Sequence, residues 1–226
     1  PCLRNPKMKK HALLTAMALV CVMAMSAQVP VKGLVAFYPF NGNTKDSSGN
    51  ELHAVNLNAM LTADRFGNSN AAYGFDGNCG IDRMITARIG THATLTFSAW
   101  FKCESLNTKY PFILNYGSSN SLNVELFGDT QSNRDNGTLG LLFAGSVNKG
   151  KWASYAYDVN DLADHRWHHL VASFVMGDSM YIYIDGTRRG QAPYLQSTHS
   201  DDVLQVGGVP DSGPEPHQSH FNGSID

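Results

Sequence analysis

Oxygen-bearing side chains are densest between Asn41 and Asp46, in the run NGNTKD. Hard divalent cations such as Ca²⁺ bind carboxylate, amide and main-chain carbonyl oxygens, so Asn41, Asn43 and Asp46 are candidate calcium ligands. The run is not an EF-hand, because that pattern needs a Glu at its twelfth position and the residue there, counting from Asn41, is Leu52. Turns contain the same residue types, so spacing alone leaves a calcium loop and a plain turn open.

Acidic side chains that could hydrolyse a glycosidic bond are the second chemistry to consider. A retaining glycosidase needs two carboxylates about 5–5.5 Å apart across the scissile bond. Beyond residue 27 none of the glutamates has a second acid at strand spacing: Glu51, Glu104, Glu125 and Glu215. Asp161 and Asp164 lie together, but in a predicted loop. We therefore predict no catalytic residue and no enzyme activity, with a divergent glycoside hydrolase as the alternative.

Histidines occur in pairs at two places. His168 and His169 are adjacent, and adjacent residues of a strand point to opposite faces, so these two cannot share a metal ion or a proton relay. We expect one of them to be buried and hydrogen-bonded and the other to be solvated. His217 and His220 have only Glu215 at ligand spacing, so they are interpreted as loop histidines.

Aromatic side chains near polar loops are the candidates for binding sugars, whose apolar faces stack on rings. Trp152 and Tyr155 precede a polar pair at residues 160–161 and are the candidate ligand-binding residues, with packing between sheets as the alternative. For Trp100 and Trp167 we expect a position in the core, because aromatic side chains dominate burial.

These candidates need a scaffold, and its clearest part runs from Trp167 to Gly186. Trp167–Val175 and Ser179–Asp185 alternate with a period of two, and Asp185-Gly186 suits a two-residue hairpin turn, because both residues tolerate positive φ. The further predicted strands are Gly33–Phe40, Leu52–Leu57, Ala71–Asp76, Ile81–Ile89, Thr94–Lys102, Phe112–Tyr116, Leu122–Phe127, Thr138–Phe143, Lys151–Val159, Thr187–Gln191, Val203–Gly208 and Phe221–Asp226. With 21 Gly and no long helical periodicity, the chain is predicted to be all-β, a sandwich of two antiparallel sheets.

The amino-terminal residues are predicted to lie outside this sandwich. Residues 8–27 combine a basic start, an apolar stretch and small residues near Ala27, a pattern that indicates a secretory signal peptide. The protein is therefore expected to be secreted, periplasmic or at the cell surface, with no transmembrane segment after signal removal. Residues 1–7 lie upstream of the predicted translation start, and residues 28–226 are predicted to form one domain.

Charge and cysteine content narrow the range of partners and covalent links. Residues 28–226 carry 13 Lys and Arg against 19 Asp and Glu, a net charge of −6 with His neutral. Such a domain lacks the basic surface that nucleic acid binding requires, so we predict no nucleic-acid partner. Cys79 and Cys103 remain after processing. They could form a disulfide in an oxidising compartment, but the sequence leaves both states open, because the geometry of the fold decides whether they pair.

Four segments in series resemble the bacterial laminin G-like domains of the concanavalin A-like lectin/glucanase superfamily. They are GLVAFYPFNGNTKDSSGN at 33–50, ADRFGNSNAAYGFDG at 63–77, DHRWHHLVASF at 164–174 with YIYIDGTRRG at 181–190, and FNGSID at 221–226. The resemblance implies a jelly-roll sandwich that binds glycans or cell-surface proteins. In such domains FNGSID leads into a closing strand, so the chain is expected to be truncated before its last strand, with an exposed sheet edge.

The resemblance also implies a structural calcium ion and ranks its ligands. The loop that begins with FNG at residues 40–42 and the Asp of SID at residues 224–226 are expected to meet at one ion. Asn41 and Asp226 are therefore the first candidates, followed by Asp46 and then Asn43. The ion would tie the chain ends together without catalysing anything. Together these features predict a secreted, non-catalytic module that binds glycan or a surface protein. The alternatives are a divergent glycoside hydrolase and a structural or adhesive spacer domain.

Overall fold

The structure is a computed structural model of the 226-residue chain. It describes residues 31–77, 83–88, 94–105, 112–116, 122–127, 138–143, 151–156, 159–194, 203–208 and 220–226. Contacts divide the chain into one unit of residues 1–34 and a second of residues 35–226, and the second contains every strand and helix below. The predicted signal peptide, residues 8–27, lies outside the described residues.

Fourteen strands in the described residues form two antiparallel sheets of seven strands each. The strands are β1 (Val55–Leu57), β2 (Met60–Thr62), β3 (Ala72–Asp76), β4 (Arg83–Arg88), β5 (Thr94–Cys103), β6 (Phe112–Tyr116), β7 (Leu122–Phe127), β8 (Thr138–Phe143), β9 (Lys151–Ala156), β10 (Trp167–Val175), β11 (Asp178–Ile184), β12 (Thr187–Tyr194), β13 (Val203–Val206) and β14 (Asn222–Ile225). A short helix, α1 (Val159–Leu162), follows β9. Sheet I has the order β1-β4-β13-β6-β7-β8-β9, and sheet II has the order β12-β11-β10-β5-β14-β3-β2. The predicted all-β fold is confirmed.

The centre of sheet II is the predicted meander. β10 is buried at every second residue and pairs with β5 along its whole length, from Trp167 opposite Lys102 to Val175 opposite Thr94. It pairs with β11 on its other side. The turn between β11 and β12 has positive φ at both central residues, 50° at Asp185 and 75° at Gly186, which is the predicted two-residue hairpin.

The core lies between the sheets and is rich in aromatic rings. Sheet I contributes Tyr116 and neighbours on β6 and β13, and sheet II contributes Phe101 and Phe174 on its two central strands. Phe174 meets Tyr194 at 5.9 Å in an edge-to-face arrangement. Cys103 is also in this core as a free thiol, and burial, with a smaller effect of the neighbouring Glu104 carboxylate, raises its pKa to about 12.

The first predicted strand, Gly33–Phe40, is not a strand, and that prediction was wrong. Its backbone forms hydrogen bonds with the loop around Asp46 and not with a neighbouring strand. The N–H of Phe37 donates to Asp46 Oδ1 at 2.9 Å, and the N–H of Ser47 donates to Phe37 O at 2.7 Å. Phe40, with φ of 52°, then enters the core. The predicted strand Lys151–Val159 likewise ends at Ala156, ahead of α1.

The segment NGSI forms a strand, β14, inside sheet II. β14 pairs with β3 on one side and with β5 on the other, so both of its edges are satisfied. Gly223 permits this approach, because a Cβ at that position would lie 2.1 Å from the main-chain O of Lys102. The chain therefore places Asp226 beside Trp100, and the two exchange main-chain hydrogen bonds of 2.8 and 2.9 Å.

Candidate ligand-binding surface

The outer face of sheet II, turned away from the core, carries a mixture of rings and hydroxyls. On β5 the exposed or half-buried residues of this face include Ser98 and Trp100, which alternate with the buried Phe101 and its partners. On β10 the same face includes Trp167 and His169. The expectation that Trp100 and Trp167 lie in the core was wrong. Their strand neighbours Phe101 and His168 face the core, and alternation then sends both indoles outward.

Four side chains on this side of the molecule form a continuous stack, which we call the stacked array: Phe66, Arg65, Trp100 and His169. The guanidinium carbon of Arg65 lies 4.4 Å from the ring centroid of Phe66 and 5.1 Å from that of Trp100. Trp100 in turn stacks on His169, with 5.0 Å between centroids and 25° between ring planes. Such cation–π and π contacts are worth about 0.5–1 kcal/mol each at exposed sites, so they orient the rings.

A Ser–His pair lies at one end of the stacked array. Ser98 Oγ is 2.9 Å from His169 Nε2, which is the distance of a nucleophile from its general base. A catalytic triad needs a third group that orients the imidazole ring. Here Asp185 Oδ1 instead accepts from the main-chain N–H of His169 at 2.8 Å. Asp185 therefore holds the backbone of His169, and the hydroxyl and the imidazole are bonded to each other.

The charge state of His169 follows from its surroundings. Burial is the largest effect and lowers the pKa of His169, the Asp185 carboxylate opposes it, and Arg65 adds to the lowering. The imidazole is therefore neutral at pH 7. Its neighbour His168 faces the core side, where Nδ1 lies 2.8 Å from Asp185 Oδ2 and Nε2 lies 3.1 Å from Asp164 Oδ1. This confirms that the two histidines are on opposite faces and that one is buried and hydrogen-bonded.

The loop between β2 and β3, residues 63–71, which we call the Asp64 loop, holds Phe66 at its tip. Asp64 Oδ1 accepts from the main-chain N–H groups of Phe66 and Asn68, each at 2.8 Å, and Oδ2 accepts from the Asn68 amide at 2.8 Å. Two main-chain hydrogen bonds of 3.1 Å, Asp64 N–H to Asn68 O and Gly67 N–H to Asp64 O, close the loop. Desolvation acts to raise the pKa of Asp64, but the bonds from Asn68 and Phe66 outweigh it and lower the pKa.

The ion pair of Arg65 and Asp226 connects this loop to the end of β14. Arg65 Nη1 contacts Asp226 Oδ2, and the Asp226 side chain is only 10% exposed. Burial is the largest effect on the Asp226 carboxyl and raises its pKa, while Arg65 offsets part of that rise. The partner of Arg65 is 161 residues away in sequence, so no local pattern indicates the pair.

Asp46, a predicted calcium ligand, is already fully engaged by hydrogen-bond donors. Its Oδ1 accepts from the main-chain N–H groups of Phe37 and Ser48, at 2.9 and 2.8 Å. Its Oδ2 accepts from the Ser48 hydroxyl at 2.7 Å and from the N–H of Leu52 at 3.0 Å. Desolvation acts to raise the pKa of Asp46, but these four bonds outweigh it and lower the pKa. In this arrangement its oxygens do not fit a calcium ion.

The other predicted calcium ligands are Asn41 and Asn43, in one loop, and Asp226, which follows β14. Asn41 O accepts from the Asn43 amide at 3.0 Å, and Asn43 Oδ1 accepts from the N–H of Lys45 at 2.9 Å. The next residue, Gly42, donates its N–H to Asn70 O at 2.8 Å, which joins this loop to the Asp64 loop. Asp226 already has Arg65 as a positive partner. In the described part of the chain, no group of three or more His, Cys, Asp or Glu could hold a metal ion. The calcium site stays a prediction.

The predicted ligand-binding residues Trp152 and Tyr155 lie on β9. On the neighbouring strand β8, Leu142 is opposite Trp152 and Leu139 is opposite Tyr155. Their side chains lie outside the described part of the structure. Cys79 and His217 also lie outside it. The described residues contain no helix long and apolar enough to cross a membrane. The residues that pattern analysis missed are Arg65 and Phe66, and the only local signal for them was the turn composition of the loop that holds them.

Comparison with known families and structures agrees with this architecture. A laminin G family model, described as the concanavalin A-like lectin/glucanases superfamily, matches residues 82–226. No curated protein matches the sequence. Domain 4 of AbnA, a GH43 extracellular arabinanase from Geobacillus stearothermophilus in complex with arabinotriose, has a TM-score of 0.57 and 19% identity, covering 85% of this chain and 89% of that one.

Two longer proteins contain similar domains. Domains LG4-5 of the mouse laminin α1 chain give a TM-score of 0.50 at 17% identity, covering 68% of this chain and 39% of that one. The binding domain of botulinum neurotoxin DC in complex with rat synaptotagmin II gives 0.59 at 14% identity, covering 84% and 46%. The chain thus spans less than half the length of these two structures. At such identities the likeness concerns the fold.

Proposed function

The chain belongs to the concanavalin A-like lectin/glucanase superfamily, and we propose that it is a secreted, non-catalytic module that binds glycans. The observation that carries the proposal is the outer face of sheet II, where Trp100, His169 and the hydroxyl of Ser98 lie together beside the stacked Arg65. A sugar presents an apolar C–H face and a rim of hydroxyls. This surface offers rings for the first and hydrogen-bonding groups for the second.

The surrounding strands extend the same chemistry. Thr96 and Ser173 hydrogen-bond to each other at 3.0 Å on the exposed face, next to the half-buried rings of Tyr181 and Tyr183. These hydroxyls sit on paired central strands, so their positions are rigid, and rigid groups lose little entropy when a ligand binds. The fold likeness to the arabinanase domain, which was solved with arabinotriose, supports a saccharide ligand.

A glycan array probed with the full chain tests the proposal. We expect retention on one or more oligosaccharides, confirmed by calorimetric titration of the best of them and of arabinotriose. We also expect no release of reducing sugar from the bound polysaccharides. Release of reducing ends would instead support the alternative, a divergent glycoside hydrolase. Retention on no glycan would reject the proposal and support a spacer or adhesive role.

A protein partner is the second candidate, and a different observation favours it. Large apolar side chains are exposed along the two short edge strands: Val55 on β1 is 59% exposed, and Met60 on β2 is 74% exposed. Exposed apolar residues on unpaired sheet edges are common in protein interfaces. The neurotoxin domain that shares this fold was solved with a protein. Loss of cell-surface binding in a Val55→Lys/Met60→Lys variant that still binds glycan would establish this second role.

The calcium ion implied by the family remains part of the proposal as a structural ion. Its candidate ligands are Asn41 and Asp226 first, with Asp46 and Asn43 after them. Binding at Asp226 would require the Arg65 guanidinium to yield its place, and binding at Asp46 would require four hydrogen bonds to open. If calcium binds, excess chelator lowers the melting temperature and calcium restores it. An unchanged melt would leave Arg65 as the cation of this site.

A further inference from the structure

We propose that Phe66, at the tip of the Asp64 loop, is the stacking platform for an uncharged sugar ring, with Arg65 supporting it from behind. This inference rests on the proposed glycan-binding function and specifies where the ligand first makes contact and which class of saccharide it is. Phe66 is 74% exposed, which is unusual for so large an apolar side chain, and it is the outermost member of the stacked array.

The position of Phe66 is set by the loop, independently of any ligand. Its main-chain N–H is bound by Asp64 Oδ1 at 2.8 Å, and the Asn68 amide holds the other oxygen of that carboxylate at 2.8 Å. Gly67 follows with φ of 83°, a conformation that suits glycine, and it lets the chain turn back directly after the ring. One face of the ring is covered by the Arg65 guanidinium at 4.4 Å. The largely exposed remainder is therefore presented to solvent in a fixed orientation.

The charge of the surrounding groups decides the class of ligand. Arg65 carries the only positive charge within the stacked array, and it is paired with the mostly buried Asp226 carboxylate. His169 is neutral at pH 7, because burial lowers its pKa. An acidic sugar would thus find a guanidinium already neutralised, with Asp64 adjacent as a like charge. An uncharged pyranose or furanose ring meets no such penalty and gains the apolar contact.

Preorganisation explains why this residue can contribute strongly despite its exposure. A flexible aromatic side chain loses rotamer freedom when it stacks on a ligand, and a supported one has already lost it. The guanidinium is itself held between Phe66, Trp100 and Asp226, so the support does not depend on a mobile side chain. A ligand on Phe66 can extend along the stacked array toward Ser98 and the outer face of sheet II.

The test compares three full-length variants against the best neutral oligosaccharide from the array. Phe66→Ala removes the platform, Phe66→Trp enlarges it, and Met176→Ala is the matched control. Met176 is also an exposed apolar side chain, 47% exposed, and follows β10 at its opposite end, roughly 20 Å from His169 along the strand. We expect Phe66→Ala to weaken binding by at least about 10-fold, while Phe66→Trp and Met176→Ala stay within about threefold of the unmodified chain. Melting temperatures should agree within about 2 °C, because the changed side chains are exposed.

The outcomes separate this inference from the proposed function. Glycan binding by the unmodified chain that is unaltered in Phe66→Ala overturns the platform and leaves the binding function standing. Binding of uronic-acid or sulfated oligosaccharides more than about 10-fold tighter than their neutral counterparts overturns the assigned ligand class. Absence of glycan binding by the unmodified chain removes the proposed function, and the platform with it.

Discussion

The loop of residues 41–50, which we call the Asp46 loop, and the Asp64 loop are both ordered by a carboxylate, but they differ in what they hold in place. In each, one carboxylate accepts several main-chain N–H groups and so fixes a turn-rich segment. Asp46 is only 8% exposed, and its bonds reach back to Phe37 and forward to Leu52. The bonds of Asp64 stay within its own loop, whose tip is in solvent.

The difference shows that the role of such a loop depends on what its hydrogen bonds join. The Asp46 loop fixes residues 35–40, which lie outside the strands, and Phe40 at the end of this segment packs in the core. The hydrogen bonds of the Asp64 carboxylate do not reach the core, and they position Arg65 and Phe66 outside the core. We therefore expect changes at Asp46 to affect stability and changes in the Asp64 loop to affect binding.

The largest effect is expected for Asp46→Ala. The substitution removes the acceptor of three main-chain N–H groups in a largely buried place, and the Ser48 hydroxyl keeps only Val35 O, at 3.2 Å. The free energy of unfolding should fall by about 3 kcal/mol, measured by chemical denaturation. Asp46→Asn is the matched control and should lose about half as much, since one oxygen remains. A loss below about 0.5 kcal/mol in Asp46→Ala would show that solvent replaces these bonds without cost.

Arg65→Met should destabilise the protein by about 1–2 kcal/mol, because it leaves the buried Asp226 carboxylate without a cation. The double variant Arg65→Met/Asp226→Asn should recover much of this loss, which a double-mutant cycle measures. Arg65→Met should also weaken glycan binding, since Phe66 loses its support. Losses that simply add, with the double variant losing as much as Arg65→Met and Asp226→Asn together, would mean that the ion pair contributes nothing to stability.

Acid should act on Asp46 and Asp226 in opposite directions. The pKa of Asp46 is lowered below its unfolded value of 3.8, so its contribution to stability is present above pH 3.8 and is lost as pH falls through the lower folded pKa. The pKa of Asp226 is raised, so protonation favours its folded state as pH falls toward 3.8. Stability curves from pH 7 to 3 for Asp46→Asn and Asp226→Asn should therefore deviate from the unmodified chain with opposite slopes. Deviations of the same sign would contradict the assignment.

The smallest effect on stability is expected for Asp64→Ala. Its hydrogen bonds lie within an exposed loop, so the melting temperature should change by no more than about 2 °C. Hydrogen exchange of the main-chain N–H groups of Phe66 and Asn68 should accelerate, because both have lost their acceptor, Asp64 Oδ1. Glycan affinity should fall, since Phe66 is no longer fixed. Unchanged exchange at these two amides would show that the loop is ordered by other contacts.

Sequence patterns predicted the bounds of the strands better than they predicted which face of each strand is buried. The bounds of β6, β7, β8 and β10 follow directly from period-two alternation, which the local chain determines. Gly33–Phe40 is a continuous apolar run that was also predicted as a strand, but the groups that bind its backbone come from the Asp46 loop, which propensity cannot reveal. The outward position of Trp100 and Trp167 was also missed, because alternation defines two faces without saying which is buried.

The candidate site was predictable only in part. The split of His168 and His169 between two faces follows from adjacency on a strand and was confirmed. The stacked array was not predictable, because it joins residues 65–66 to β5 and β10 across more than thirty residues of intervening chain. As calcium ligands, Asn41 came from the oxygen-rich run that contains it and Asp226 from family resemblance, and both remain a prediction that the chelator experiment tests.

The division of roles between the Asp46 loop and the Asp64 loop is tested by measuring affinity and melting temperature together for Phe66→Ala and Asp46→Asn. Both variants are titrated with the same neutral oligosaccharide by calorimetry and melted under the same conditions. We expect Phe66→Ala to lose affinity by at least about 10-fold while it keeps its melting temperature, and Asp46→Asn to melt at a lower temperature while it keeps its affinity. If Asp46→Asn loses affinity while Phe66→Ala keeps it, the division of roles between the two loops is contradicted.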